Sequence, residues 1–168
     1  LSQFTVGNFG PSFLDVGLMK LDDFLSFCAR TGIAPMFSMH PITGVQTSQN
    51  LNALKALVAK YNLLEKLVIK VPIYKEGSTY YLNNFTNIFA VFGNDIGEYT
   101  VNVPYGMPDL SAAVDLFDSV SGSCTVPKSI EYWASQLVAD NTLVSNALSN
   151  GYAVSAATDS NTDVSGAT

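Results

Sequence analysis

The chain is short of charge: Asp, Glu, Lys and Arg make up 13% of its 168 residues, about half the usual share. Bases are scarcest in the second part. Lys20, Arg30, Lys55, Lys60, Lys66, Lys70 and Lys75 all precede Glu76, and Lys128 alone follows it. Five acids lie at or before Glu76 and nine beyond it, so the two parts differ in sign and the whole carries −6. So acidic a balance argues against direct nucleic-acid binding, whose affinity comes from Lys and Arg displacing counterions. A lopsided field can draw copies of the chain together, or a basic partner, but it specifies no chemistry.

Other shortages narrow the field further. There are two cysteines, enough for one disulfide and too few for a disulfide framework. Cys28 falls on the apolar stripe of an expected helix and Cys124 in a Ser/Gly loop, so two unbridged thiols are the simpler expectation. A single histidine, His40, excludes a three-histidine metal site. The glycines form neither a phosphate loop nor a dinucleotide fingerprint, no Gly-x-Ser-x-Gly elbow occurs, and no acids follow a calcium-loop pattern. No cofactor and no metal are therefore expected. No apolar run approaches the roughly 18 residues of a membrane-spanning helix. Leu1 stands where a Met would begin a chain, without a charged-then-apolar leader, which suggests a processed or partial product.

What is plentiful is apolar: 48% of the residues, 11% of the chain being aromatic. A domain of this size can bury a substantial core. Its wet surface must then be mostly Ser, Thr and Asn, a composition that favours a secreted, virion or other extracellular assembly over the cytoplasm.

Three regions are expected. Residues 1–19 read as an extended arm carrying Phe4, Phe9 and Phe13. Residues 20–152 read as a single α+β domain, and residues 153–168 as a polar low-complexity tail unable to offset its ordering entropy. Within the domain, Leu21, Phe24, Leu25 and Cys28 have one-face helical spacing, ended by Gly32. Ile33 to Met39 reads as a buried strand whose Pro35 pushes it toward a sheet edge or a bulge. Ser48 can cap a helix with Leu51, Leu54, Val58 and Tyr61 as its stripe. Leu67 to Tyr74 follows as a strand, completing a parallel strand-helix-strand unit. Beyond Gly77 the punctuation predicts a short antiparallel meander of Thr79–Leu82, Ile88–Phe92 and Glu98–Tyr105. Two C-terminal helices are expected to start at Pro108 and Pro127, the second reaching toward Gly151 with a break near Asn141.

Candidate site residues are few. His40 would sit at the carboxyl end of a parallel strand, where ligands bind in open α/β sheets, although a turn histidine is the plainer reading. Tyr74, Lys75 and Glu76 end the next strand on the same rim, and Lys75-Glu76-Gly77-Ser78 also reads as a polar hairpin turn. His40 and Glu76 are weak catalytic candidates. Glycoside cleavage would require a second acid, with Asp95 and Glu98 nearest in sequence. Tyr80, Tyr81 and Phe85 can anchor an interface or stack on sugars, or simply fill a sheet core. Asn84-Phe85-Thr86 matches a glycosylation acceptor.

The composition and the absence of catalytic motifs lead to one expectation: a non-enzymatic, self-assembling subunit of a shell, viral coat or surface appendage, forming a homo-oligomer or larger assembly whose termini reach neighbouring subunits. The alternative is a carbohydrate-active enzyme or sugar-binding module on the parallel unit, with a rim around His40, Tyr74 and Glu76. A third is a fragment of a larger chain.

Overall fold

The computed structural model describes residues 19–39, 47–82, 84–104, 106–107, 110–122 and 124–157. The expected Phe-bearing arm, His40 and the end of the polar tail lie outside these residues. In chain order the elements are α1 (Leu21–Thr31), β1 (Met36–Ser38), α2 (Ser48–Lys60), β2 (Val68–Glu76), β3 (Thr79–Leu82), α3 (Phe85–Phe92), β4 (Glu98–Asn102), α4 (Leu110–Ser121), β5 (Lys128–Trp133), α5 (Ala134–Ala139), α6 (Thr142–Ser149) and β6 (Ala153–Ala157).

Five strands run parallel in the order β1-β2-β4-β5-β6, and β3 folds back antiparallel on β2. Each parallel strand neighbours the one before it, so every crossover advances in the same direction. Because such crossovers are right-handed, their helices all fall on one face. Consecutive helices pack side by side, α2 on α3, α3 on α4 and α4 on α6. The sheet curls into a half-barrel with the helices outside.

This overturns the expected α+β class. The antiparallel meander is absent: β4 pairs in parallel with both β2 and β5, and the β2–β3 hairpin is the one antiparallel pair among the described strands. The segment read as strand Ile88–Phe92 is helical, with Phe85, Ile88 and Phe92 buried at helical spacing. A short apolar run does not separate strand from buried helix by periodicity alone. The helix expected to start at Pro127 is instead strand β5, with Ile130 and Tyr132 alternating onto the helical face. Pro127 precedes that strand, where a missing N–H costs no ladder bond, and its carbonyl accepts from Tyr99 N. Two short helices follow, α5 and α6, parted at Asp140–Asn141. Residues expected to begin a disordered tail form β6, hydrogen-bonded along Ser129–Trp133 of β5.

The strand-helix-strand unit stands as expected, with β1 and β2 parallel on either side of α2. Gly32, at φ +75°, ends α1, a conformation that costs glycine little. Thr47, one residue before the expected Ser48, caps α2 by accepting from Asn50 N at 3.2 Å.

The main core lies between sheet and helices. Ile69, Val71, Tyr99, Val101 and Ile130 point from the strands toward Phe85, Phe92 and Phe117, all almost fully buried. Phe117 packs 4.8 Å from Phe85 and 5.5 Å from Tyr99, centroid to centroid. The Tyr99 hydroxyl donates to Gly93 O at 2.9 Å.

Candidate binding face

Side chains alternate between the two faces of a strand, so whatever does not point at the helices points into the curl. From β2 these are Val68, Lys70, Pro72 and Tyr74; from β4, Glu98, Thr100 and Asn102; from β5, Ser129, Glu131 and Trp133; from β6, Ala153, Ser155 and Ala157. The register stacks them in tiers. Lys70, Thr100 and Ser129 are aligned across three strands, and Pro72, Asn102, Glu131 and Ser155 across four, one step nearer the carboxyl ends.

The concave face is thus polar, unlike the interior of a closed parallel barrel, where tiers of Val, Ile and Leu fill the space. Two networks organise it. In the upper one, Glu131 Oε1 accepts from Asn102 Nδ2 at 2.8 Å and forms an ion pair with Lys70 Nζ, which reaches across β4. The side chains of Lys70 and Glu131 are only 16% and 8% exposed. In the lower network Ser129 Oγ donates to Glu98 Oε1 at 2.5 Å, and Thr100 Oγ1 lies 3.2 Å from the same oxygen and 3.0 Å from Ser129 Oγ.

Burying charge is expensive, and a buried ion pair seldom repays the loss of hydration better than apolar packing would. Lys70, Asn102 and Glu131 are each flanked along the strand by buried apolar residues, and they stand out as groups whose value is not packing. Nearby, Ser155 Oγ is buried without a hydrogen-bond partner. Tyr74 and Trp133, both half-buried, lie two residues beyond Pro72 and Glu131 toward the carboxyl ends. In α/β sheets that end is where ligands bind.

The residues singled out by sequence are dispersed. Tyr74 lies on the concave face, its ring 5.9 Å from that of Tyr81. Lys75 and Glu76 are exposed in the β2–β3 hairpin, which Gly77 turns at φ +61°. Tyr80 donates its hydroxyl to Gly106 O at 2.5 Å and lies under Lys75 Nζ, 5.4 Å from the ring centroid. Phe85 is a core residue, 0% exposed. Asn84 is exposed before α3 at φ +54°. Asp95 pairs with Lys55 on the helical side, whereas Glu98 joins the concave face. Cys28 and Cys124 are free thiols. His40, Phe4, Phe9 and Phe13 lie outside the described residues.

Sequence reasoning missed Lys70, Asn102 and Glu131 as a site. The available signal was a charged or amide residue flanked on both sides by apolar ones, Ile-Lys-Val, Val-Asn-Val and Ile-Glu-Tyr. The helix expected from Pro127 takes in Glu131 and hides the third.

Among the described residues no cluster of three or more His, Cys, Asp or Glu side chains gathers as metal ligands, and no helix is long and apolar enough to cross a membrane. Comparison of the chain with family models, curated proteins and solved structures finds no match. The functional reading therefore rests on geometry.

Proposed function

We propose that the chain is a sugar-binding module whose concave sheet face, at the carboxyl ends of β2, β4, β5 and β6, receives a small carbohydrate. One observation carries the reading: a carboxylate, an ammonium and a carboxamide joined on a face that ordinary packing would make apolar. Sugar sites combine such groups, which fix hydroxyls, with aromatic rings that cover the apolar side of a pyranose. Here Tyr74 and Trp133 supply the rings. Glu76 takes no part, being exposed in the hairpin.

Trp133 is the sole tryptophan, so its emission reports on this face without labelling. Titration with methyl glycosides of glucose, galactose, mannose and N-acetylglucosamine should give a saturable change with at least one of them. Glu131→Gln and Asn102→Ala should each weaken it about tenfold or more, the worth of one hydrogen bond to a charged group. A flat response throughout, with calorimetry equally silent, would remove the reading. Release of reducing ends during the titration would mark an enzyme.

A second reading, self-association, draws on the open edges of the half-barrel. Among the described strands, β1 and β6 each pair on one side only. The exposed large apolar residues among those described cluster near these edges: Phe27, Ile33 and Met36 with Met19 and Leu21 on one side, Val138 and Leu148 on the other. Unpaired edges flanked by apolar side chains favour association. Size-exclusion chromatography with light scattering at low salt tests it, and a monomer at high concentration would count against it.

A further inference from the structure

We infer that two copies of the chain close head to tail into one barrel, the β6 edge of each continuing into the β1 edge of the other. The inference rests on the self-association reading and adds which edge meets which and how many copies close.

The sheet and the helical layer stop at the same places. At one edge β1 pairs only with β2 among the described strands, and α1 lies over it, with Phe24 packed edge-on against Phe37. On its inner flank α1 meets α2 through the ion pair of Asp22 with Lys60. Helical residues advance about 100° each, so Phe27 sits on the opposite flank, with Leu25 and Cys28 buried between. Phe27 is 42% exposed. At the other edge β6 pairs only with β5 among the described strands, and α6 packs over it. Asn150, at the end of α6, borders a crevice with Leu110 and Val114 of α4. Leu148, two residues earlier, therefore points away from α4, and it is 58% exposed. Each edge thus offers an open strand and, in the layer above, an uncovered apolar flank of the kind that joins α2 to α3 and α3 to α4 within the chain.

Charge decides which edges meet. Because the parallel strands follow sequence order across the sheet, the asymmetry of the sequence becomes an asymmetry in space. Residues 19–60, around the β1 edge, carry Lys20, Arg30, Lys55 and Lys60 against Asp22 and Asp23, a net +2. Residues 134–157, around the β6 edge, carry Asp140 alone, a net −1. Opposite edges attract, and two β1 edges repel. Strand direction agrees, since rotation about the barrel axis joins β6 to β1 in parallel, as in every other pair of the main sheet. Head-to-tail contacts make rings where the rotation closes. A half-barrel needs one more copy, which leaves no open edge.

The test measures mass by light scattering over a concentration series for wild type, Phe27→Glu, Leu148→Glu and an equal mixture of the two variants. Circular dichroism checks that each variant is folded, and Ser replaces Glu at either position if it is not. Wild type should be a dimer. Each variant alone should dissociate at about tenfold or higher concentration, because a charge enters an apolar contact at both joints. Mixing should restore dimer, since one joint of the mixed pair carries both substitutions and the other carries neither. A wild-type dimer that only one variant weakens, that neither weakens, or that mixing fails to restore overturns the head-to-tail joint. Species larger than a dimer overturn the closed pair. In all these cases self-association itself stands. A wild type that stays monomeric at high concentration overturns the parent reading and the inference together.

Discussion

Replacing Lys70 by Met while leaving Glu131 in place tests whether the concave network is the buried, coupled unit that its geometry describes. In Lys70→Met the Glu131 carboxylate, 8% exposed in the native protein, keeps only the Asn102 amide. Breaking a buried pair from one side costs about 3–5 kcal/mol, because the surviving charge stays desolvated. For a chain of this length each kcal/mol moves the melting temperature by roughly 2–4 °C, so the variant should melt about 10 °C lower. The double variant Lys70→Met/Glu131→Leu removes both charges and fills the space, leaving only the Asn102 amide without its partner, at about 1–3 kcal/mol. It should therefore be more stable than the single variant. Urea unfolding at constant m-value gives each free energy, and the cycle isolates the coupling between the two residues. A cost below about 1 kcal/mol for Lys70→Met, the value of a solvent-exposed pair, would refute the reasoning.

Two buried tyrosines should respond oppositely to loss of the hydroxyl. Tyr99→Phe should destabilise by about 1 kcal/mol, the net worth of its bond to Gly93 O. Tyr132→Phe should be neutral or stabilising in the same denaturant titration, since the Tyr132 hydroxyl is buried without a partner. Gly97→Ala should cost about 1–3 kcal/mol, because a Cβ there would meet the Glu65 carbonyl oxygen at 2.6 Å; wild-type stability would contradict the close approach of backbone. The Asp140 carboxylate accepts from the Thr142 hydroxyl and backbone N–H at the start of α6, which hold its pKa below the ordinary 3.8. Its contribution to stability is present above the unfolded value and lost as pH falls through the folded one. NMR titration should find its midpoint below 3.8 and moved part of the way back on Thr142→Val, which removes the hydroxyl and keeps the backbone N–H, and an unshifted midpoint in wild type would count against the turn.

How far the fold could be read varied by element. The helix from Leu21 to its glycine stop, the strand-helix-strand unit through Tyr74 and the helix around Phe117 were legible because their apolar spacing has one period and one interpretation. Ile88–Phe92 was not, since a run apolar at nearly every position fits either a buried strand or a buried helix. Nor was β5, because Pro127 opens a strand as readily as a helix. The tail at Ala153–Ala157 misled for a different reason. Its composition lacks the bulk to order itself, yet an edge position beside β5 supplies a full ladder of backbone bonds.

The sequence by itself determined that the chain has a sizeable apolar core, few charges, no recognised catalytic motif, and a parallel unit ending near Tyr74. Only the tertiary structure decided that Lys70, Asn102 and Glu131 meet. They are separated by about 30 residues at each step, and no local pattern reports strand order. Parallel pairing in sequence order, with all helices on one side, sets every second residue of each strand onto a shared concave face. There, scattered polar side chains become neighbours.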